Sequence, residues 1–174
     1  EHIRIPDDKV FGFASDTNTY IGRPAAYTLA FTTDGTERVR IDSFGRILMG
    51  RDSSSNAVGL KPIVQIQSTS TDNYARMELA YAGGNTIGPG IYFVKARGSA
   101  ANSVTAAGSA DQCGALFFLA ADGTDRGNRV ASIQAFTDGT IASNQTPGKL
   151  VFRTTPSNSN QTLERLTINS SGIV

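Results

Sequence analysis

The chain has 174 residues, with 16 Lys plus Arg against 15 Asp plus Glu and a net charge of +1. That near-balance, with the cations scattered along the chain, excludes attachment to duplex nucleic acid or to an anionic bilayer by charge alone. Gly, Thr, Ser and Asn together supply 62 residues and Trp is absent, a composition that makes many turns and short strands and few helices.

Taken in chain order, strand-like runs fall at 3–5, 10–14, 19–22, 27–33, 37–42, 46–49, 63–67, 75–81, 90–95, 115–121, 130–137, 149–154 and 164–169. Turn signals separate them: Asp34-Gly35, Ser43-Phe44-Gly45, Gly83-Gly84-Asn85, Asp122-Gly123, Asp138-Gly139 and Ser170-Ser171-Gly172. Short strands at this spacing predict an all-β fold of antiparallel strands and β-meanders. The nearest approach to a helical pattern, 74–82, also alternates Ala75, Met77, Leu79 and Tyr81 against Arg76, Glu78 and Ala80. A period of two assigns it to a strand.

Two runs are apolar without alternation, Ile91-Tyr92-Phe93-Val94 and Leu116-Phe117-Phe118-Leu119. A strand that is apolar on both faces needs cover on both faces. Without helices, that cover is a second sheet or another copy of the chain. The low-complexity stretch 51–59 reads as a linker, dividing a shaft-like segment, 1–60, from a β-sandwich-like domain, 61–174. The loop 96–112 is rich in Ala, Ser, Gly and Asn, and a loop of that length in a compact fold is usually functional or disordered.

The lone cysteine, Cys113, excludes an intrachain disulfide and reads as a small buried apolar side chain. No apolar stretch approaches the ~20 residues of a membrane span, so no membrane insertion is expected. No leader pattern opens the chain at Glu1, and the last residues break off inside a strand pattern, so a piece of a longer polypeptide is expected.

Candidate chemistry is sparse. The single histidine, His2, stands in no motif that would support a triad or a metal site. Asp122 and Asp125 are the nearest pair of carboxylates for glycosidic work, and the same loop offers oxygen ligands for calcium. The spacing matches no EF-hand, and each reads better as a turn former. Gly83-Gly84-Asn85 and Gly88-Pro89-Gly90 are not phosphate loops. No catalytic residue, metal site or cofactor is assigned. Tyrosines 20, 27, 74, 81 and 92 could each stack on a sugar ring. Tyr81, beside the turn carrying Asn85, is the first candidate for glycan contact, with Asn102 in the long loop.

An internal repeat gives the sequence its character. Leu29-x-Phe31-x-Thr33 returns as Leu150-x-Phe152-x-Thr154. Glu37-Arg38-Val39-x-Ile41-Asp42-Ser43-x-Gly45 returns as Glu164-Arg165-Leu166-x-Ile168-Asn169-Ser170-x-Gly172. Each copy reads as a small β-meander, with Val39 and Ile41 turned inward and Arg38 and Arg40 outward. Alone it is too small to bury its apolar face and has to stack on something. The recurring Glu-Arg step suits pairing across strands or between subunits.

The repeat, together with the stretches 89–100, 111–125 and 147–172, resembles the tail fibres and tailspikes of bacteriophages. The likeness is to the fibre region found upstream of an endosialidase-type intramolecular chaperone domain. It implies a parallel homotrimer with two further copies of the chain as partners, alongside other tail or fibre proteins and a bacterial surface glycan or protein. It implies a non-enzymatic, adhesive role in a virion assembled in the host cytoplasm, with 61–174 as the candidate tip or receptor-contacting region. A glycan-degrading tailspike fragment and a fibre of a phage-like contractile injection system are the alternatives.

Overall fold

The computed structural model describes residues 5–6, 9–56, 59, 61–69, 75–84 and 86–174. Among them every regular element is a strand, and two compact units form, Glu1–Leu79 and Ala80–Val174. The boundary read at 60/61 therefore falls inside the first unit.

In the first unit a six-stranded sheet runs in chain order through β1 (Phe11–Phe13), β2 (Asp16–Gly22), β3 (Leu29–Thr33), β4 (Thr36–Ile41), β5 (Ile47–Met49) and β6 (Val64–Ile66). The β3–β4 turn is the two-residue Asp34-Gly35, with φ of 50° and 65°. Two positive φ values match the right-handed twist of the strands they join. All pairs are antiparallel except the last: β5 and β6 are parallel, Ile47 facing Val64, where an all-antiparallel order was expected. A parallel neighbour needs a crossover, and the connection from β5 to β6, which contains the 51–59 stretch read as a linker, supplies it. Gly50 opens the crossover at φ 70°, and a Cβ there would lie 2.2 Å from the Gln67 carbonyl oxygen.

The second unit holds one four-stranded antiparallel sheet, in the order β10-β9-β8-β7. Its strands are β7 (Gln112–Ala120), β8 (Asn128–Thr137), β9 (Gly148–Thr154) and β10 (Leu163–Ile168). The range 61–174, expected as a sandwich, thus spans parts of both units, its strand at 64–66 joining the first sheet. Two predicted strands, 75–81 and 90–95, join no ladder. Among the described residues neither pairs with another strand, and Tyr92 and Val94 stand 89% and 88% exposed. Of the run at 3–5 only Ile5 is described, and it lies outside any strand.

Burial runs opposite to the expected pattern. Paired residues share a face of a sheet. In the first sheet one row crosses all six strands as Phe11, Ile21, Phe31, Val39, Met49 and Ile66, and a second crosses as Leu29, Ile41, Ile47 and Val64. Phe31, Ile41, Met49 and Ile66 remain 38–46% exposed. Ile41 therefore opens to solvent rather than to an interior, and Arg40 is drawn in, its side chain 16% exposed.

The opposite face is the closed one. It carries Ala30, Arg40, Leu48 and Gln65 in one row, with Leu48 fully buried. The crossover closes it, Ser55 donating its amide to Gln65 Oε1 at 2.9 Å. The second sheet repeats the arrangement. Leu116, Ile133, Phe152 and Leu166 form an open apolar row, while Ser132, Gln134 and Val151 on the other face are buried.

The chain exposes 13308 Å². A compact monomer of 18.4 kDa exposes about 8,200 Å², and two separate units of half that mass about 9,900 Å². More than 3,000 Å² of excess remains by that scaling, to which both the open rows and the residues outside any ladder, such as Met77, Tyr92 and Val104, contribute. Gly50→Ala will cost the first unit about 2–3 kcal/mol, because it strains φ and presses on a backbone oxygen with no room to give. Urea unfolding followed by circular dichroism checks this.

Candidate functional site

The two repeats coincide down to single hydrogen bonds. In the first hairpin Phe31 pairs with Val39 and Thr32 with Glu37, which leaves Arg38 as the extra residue of a β-bulge. In the second, Phe152 pairs with Leu166 and Arg153 with Glu164, and Arg165 is the extra residue. Arg38 Nε donates to Thr33 Oγ1 at 2.9 Å, and Arg165 Nε to Thr154 Oγ1 at 2.9 Å. A bulge bends its strand and re-aims a side chain. Here it sends each arginine back along the hairpin to a threonine.

The turns that follow match as closely. Asp42 Oδ1 accepts the amides of Phe44 and Arg46 at 2.9 and 3.1 Å, and Asn169 Oδ1 those of Ser171 and Ile173 at 2.9 and 3.0 Å. Gly45 and Gly172 both sit at φ 75°, a value that favours glycine. Ile41 and Ile168 hold equivalent places in the open apolar rows, as partners of Leu29 and Leu150.

Within the chain each glutamate pairs with an arginine other than the one beside it. Successive residues on a strand point to opposite faces, so neither glutamate reaches the arginine beside it. Glu37 takes a two-pronged ion pair from Arg40, at 2.6 and 2.7 Å. In the second repeat Thr167 stands at the Arg40 position, and the cation comes from Arg153 across the ladder to Glu164. The carboxylate is kept and the source of its partner has moved.

The long loop is pinned rather than loose. Arg97 donates Nε and Nη2 to the two oxygens of Asp111, both at 2.8 Å. Asp111 also accepts the Gly108 amide at 2.9 Å. Its own amide bonds Thr137 Oγ1 at 2.9 Å, and Thr137 donates to the Gly108 carbonyl at 2.6 Å. Arg97 and then the Gly108 amide hold the Asp111 carboxyl well below the usual carboxylate range. Sequence reading passed over Asp111; its only signal is an acid at the exit of a loop that carries an arginine.

Of the contact candidates, Asn102 is exposed on this loop in a left-handed turn, at φ 59°. Tyr81 is 53% exposed, its ring folded over Gly83. Asn85 lies outside the described residues, as do His2 and Tyr74. Nothing brings Tyr81 and Asn102 into one site. Phe93, read as part of a strand, instead rests on Gly114 at the open face of the second sheet. With Leu116, Ile133, Ala135 and Leu150 it lines an apolar concavity of ≈ 290 Å³. Cys113 lies at the edge of that concavity, half-buried rather than enclosed.

The Asp122 loop is occupied by its own backbone. Asp122 Oδ1 accepts the amides of Thr124 and Asp125 at 2.8 and 3.0 Å, and Asp125 Oδ1 accepts that of Gly127 at 2.7 Å. The Asp125 and Thr124 amides lower the Asp122 pKa, the opposite of what a general acid needs. Among the described residues no group of His, Cys, Asp and Glu could hold a metal ion. No helix among them is long and apolar enough to cross a membrane.

No protein-family model matches the chain, and no curated protein matches it. Among solved structures it is similar to the carboxy-terminal domain of the bacteriophage T5 L-shaped tail fibre. The TM-score is 0.63 at 16% sequence identity, over 93% of this chain and 73% of that one. At that identity the likeness is one of fold, and it spans both units.

Asp111 supports the loop when ionised. Its carboxyl is depressed in the folded chain, so the support is complete above the ordinary carboxylate pKa of about 3.9 and fades as pH falls through the lower folded-state value. Hydrogen exchange at the Gly108 and Arg97 amides should therefore stay slow at pH 4. Asp111→Asn should speed it already at pH 4 and above, where the parent carboxylate is ionised.

Proposed function

We propose that this chain is a structural and adhesive segment of a bacteriophage tail fibre, working as a parallel homotrimer in the virion to attach the particle to a bacterial surface. The observation that carries the reading is the pair of uncovered apolar sheet faces. Open patches on monomeric proteins are about 300–600 Å². Ten half-exposed apolar side chains on the first sheet alone present roughly 700 Å², close to one partner's share of a specific interface. Two further copies of the chain are the occupants that fit, because like faces then cover one another around an axis.

The likeness in fold to a tail-fibre domain, and the resemblance of the repeats to fibres preceding an endosialidase-type chaperone, both favour this reading. Other tail proteins and a surface glycan or protein are the remaining partners, and the virion, assembled in the host cytoplasm, is the location. The function requires no catalysis. The Asp122 and Asp125 carboxylates, candidates for a glycan-degrading role, are engaged by their own loop. Three copies of a weak contact gain avidity without one strong site, and exposed Tyr81 and Asn102 remain contact candidates.

Molar mass by light scattering tests the assembly, with three times the chain mass expected at micromolar concentration. Phe31→Asp places a charge in the middle of the open row and should reduce the particle to single chains. A monomer whose melting is untouched by Phe31→Asp would overturn the proposal.

A further inference from the structure

We propose that the outer edge of β7 receives residues 90–95 of a second copy of the chain as an added strand, so that copies are joined backbone to backbone as well as face to face. The inference deepens the homotrimer reading above and rests on it. β7 is the end strand of its sheet and pairs only with β8. An end strand presents a row of N–H and C=O groups to any backbone that can pair with it. Proteins that stay single guard such a row with charge, proline, a bulge or a very short strand.

The other three sheet edges are guarded in those ways. β1 and β6 are three residues long, and β10 carries Glu164 and Arg165 with a bulge between its residues and those of β9. β7 is nine residues long and has neither charge nor proline. After the extra residue at Cys113 it keeps regular register from Gly114 to Phe118. Leu116, Phe117, Phe118 and Leu119 are 38–52% exposed.

The same chain carries a strand without a ladder. Ile91, Tyr92, Phe93 and Val94 are of the β-branched and aromatic types that favour strands. Among the described residues, no backbone hydrogen bond joins 90–95 to any strand. The β7 of its own chain is not open to this segment as it lies. Phe93 sits over Gly114, where an added Cβ would stand 2.6 Å from the Phe93 Cβ, so the segment rests on the face of the sheet and not beside its edge. The Arg97–Asp111 ion pair ties the loop that runs from there to β7. Each copy thus holds two halves of a ladder that do not meet within it. They meet when each copy gives 90–95 to the next. That contact is head-to-tail, and three of them close a ring. Six residues reach about 20 Å, enough to cover Gly114 to Phe118. Both runs are apolar on both faces, as strands inside an assembly have to be.

Disulfide trapping on the full chain, in a Cys113→Ser background, tests this. Tyr92→Cys or Val94→Cys is combined with Ala115→Cys or Phe117→Cys, which lie on the face of β7 opposite the open row. At least one pair is expected to give reductant-sensitive bands of two and three chain masses, because opposed strand residues have the Cα spacing that a disulfide takes. No single-cysteine variant should do so. Val94→Pro and Lys95→Pro remove adjacent N–H groups that point to opposite sides of a strand. At least one of the two should weaken assembly about tenfold by light scattering, while Val94→Thr leaves it unchanged. A trimer in which no pair links two chains, in which Ala115→Cys or Phe117→Cys links chains alone, or which tolerates both prolines overturns the strand exchange and leaves the homotrimer standing. A protein that stays monomeric at micromolar concentration overturns both.

Discussion

The structure depends on apolar rows that its described residues leave largely uncovered. Cross-strand pairing lines up Phe31 with Val39 and Met49, and Phe152 with Leu166 and Ile133, so each sheet gathers its large apolar side chains on one face. Removing such surface from water is the main favourable term in folding. Within one chain that term is realised only in part: among the described residues the fully buried apolar side chains are Ala30, Leu48 and Val151. Two of the three, Ala30 and Val151, are equivalent positions of the repeat. The shared contribution of each repeat to its own sheet is thus a single small interior residue, and the rest of its apolar surface is offered outward.

The repeat separates what is structural from what can vary. The bulge arginine, its threonine, the Asp or Asn that closes the next turn and the glycine at φ 75° are the same device in both copies. They fix the bend of the return strand and the direction in which the chain leaves it. The compensating charge for the glutamate varies, Arg40 in one copy and Arg153 in the other. An ion pair near the surface contributes little by itself. What matters is that a half-buried carboxylate does not stand unpaired, and the ladder offers two places from which to neutralise it.

An adhesive fibre of the kind proposed would need stiffness as much as stickiness. The loop 96–111 shows how a Gly- and Ser-rich segment can be ordered without a core of its own. One carboxylate ties an arginine at its start to a backbone amide near its end, and Thr137 ties both to β8. Such a loop presents Asn102 at a fixed place at little entropic cost on contact.

Much of the fold was legible in the sequence because its signals are local. Period-two alternation, Asp-Gly turns and the Leu-x-Phe-x-Thr repeat fixed the strand content and located ten of the thirteen strand runs. The match between Glu37–Gly45 and Glu164–Gly172 foretold two equivalent meanders. Other features depend on which distant groups meet. The parallel β5–β6 pair, the partners of Glu37 and Glu164 and the Asp111 knot follow from register across strands. No spacing along one strand reports register. The strand signals at 75–81 and 90–95 show the same limit from the other side. A strand is a pattern that sequence can carry, but a ladder needs a partner backbone. The direction of burial was likewise settled only in three dimensions, because a period-two pattern says which residues share a face and not which face will be covered.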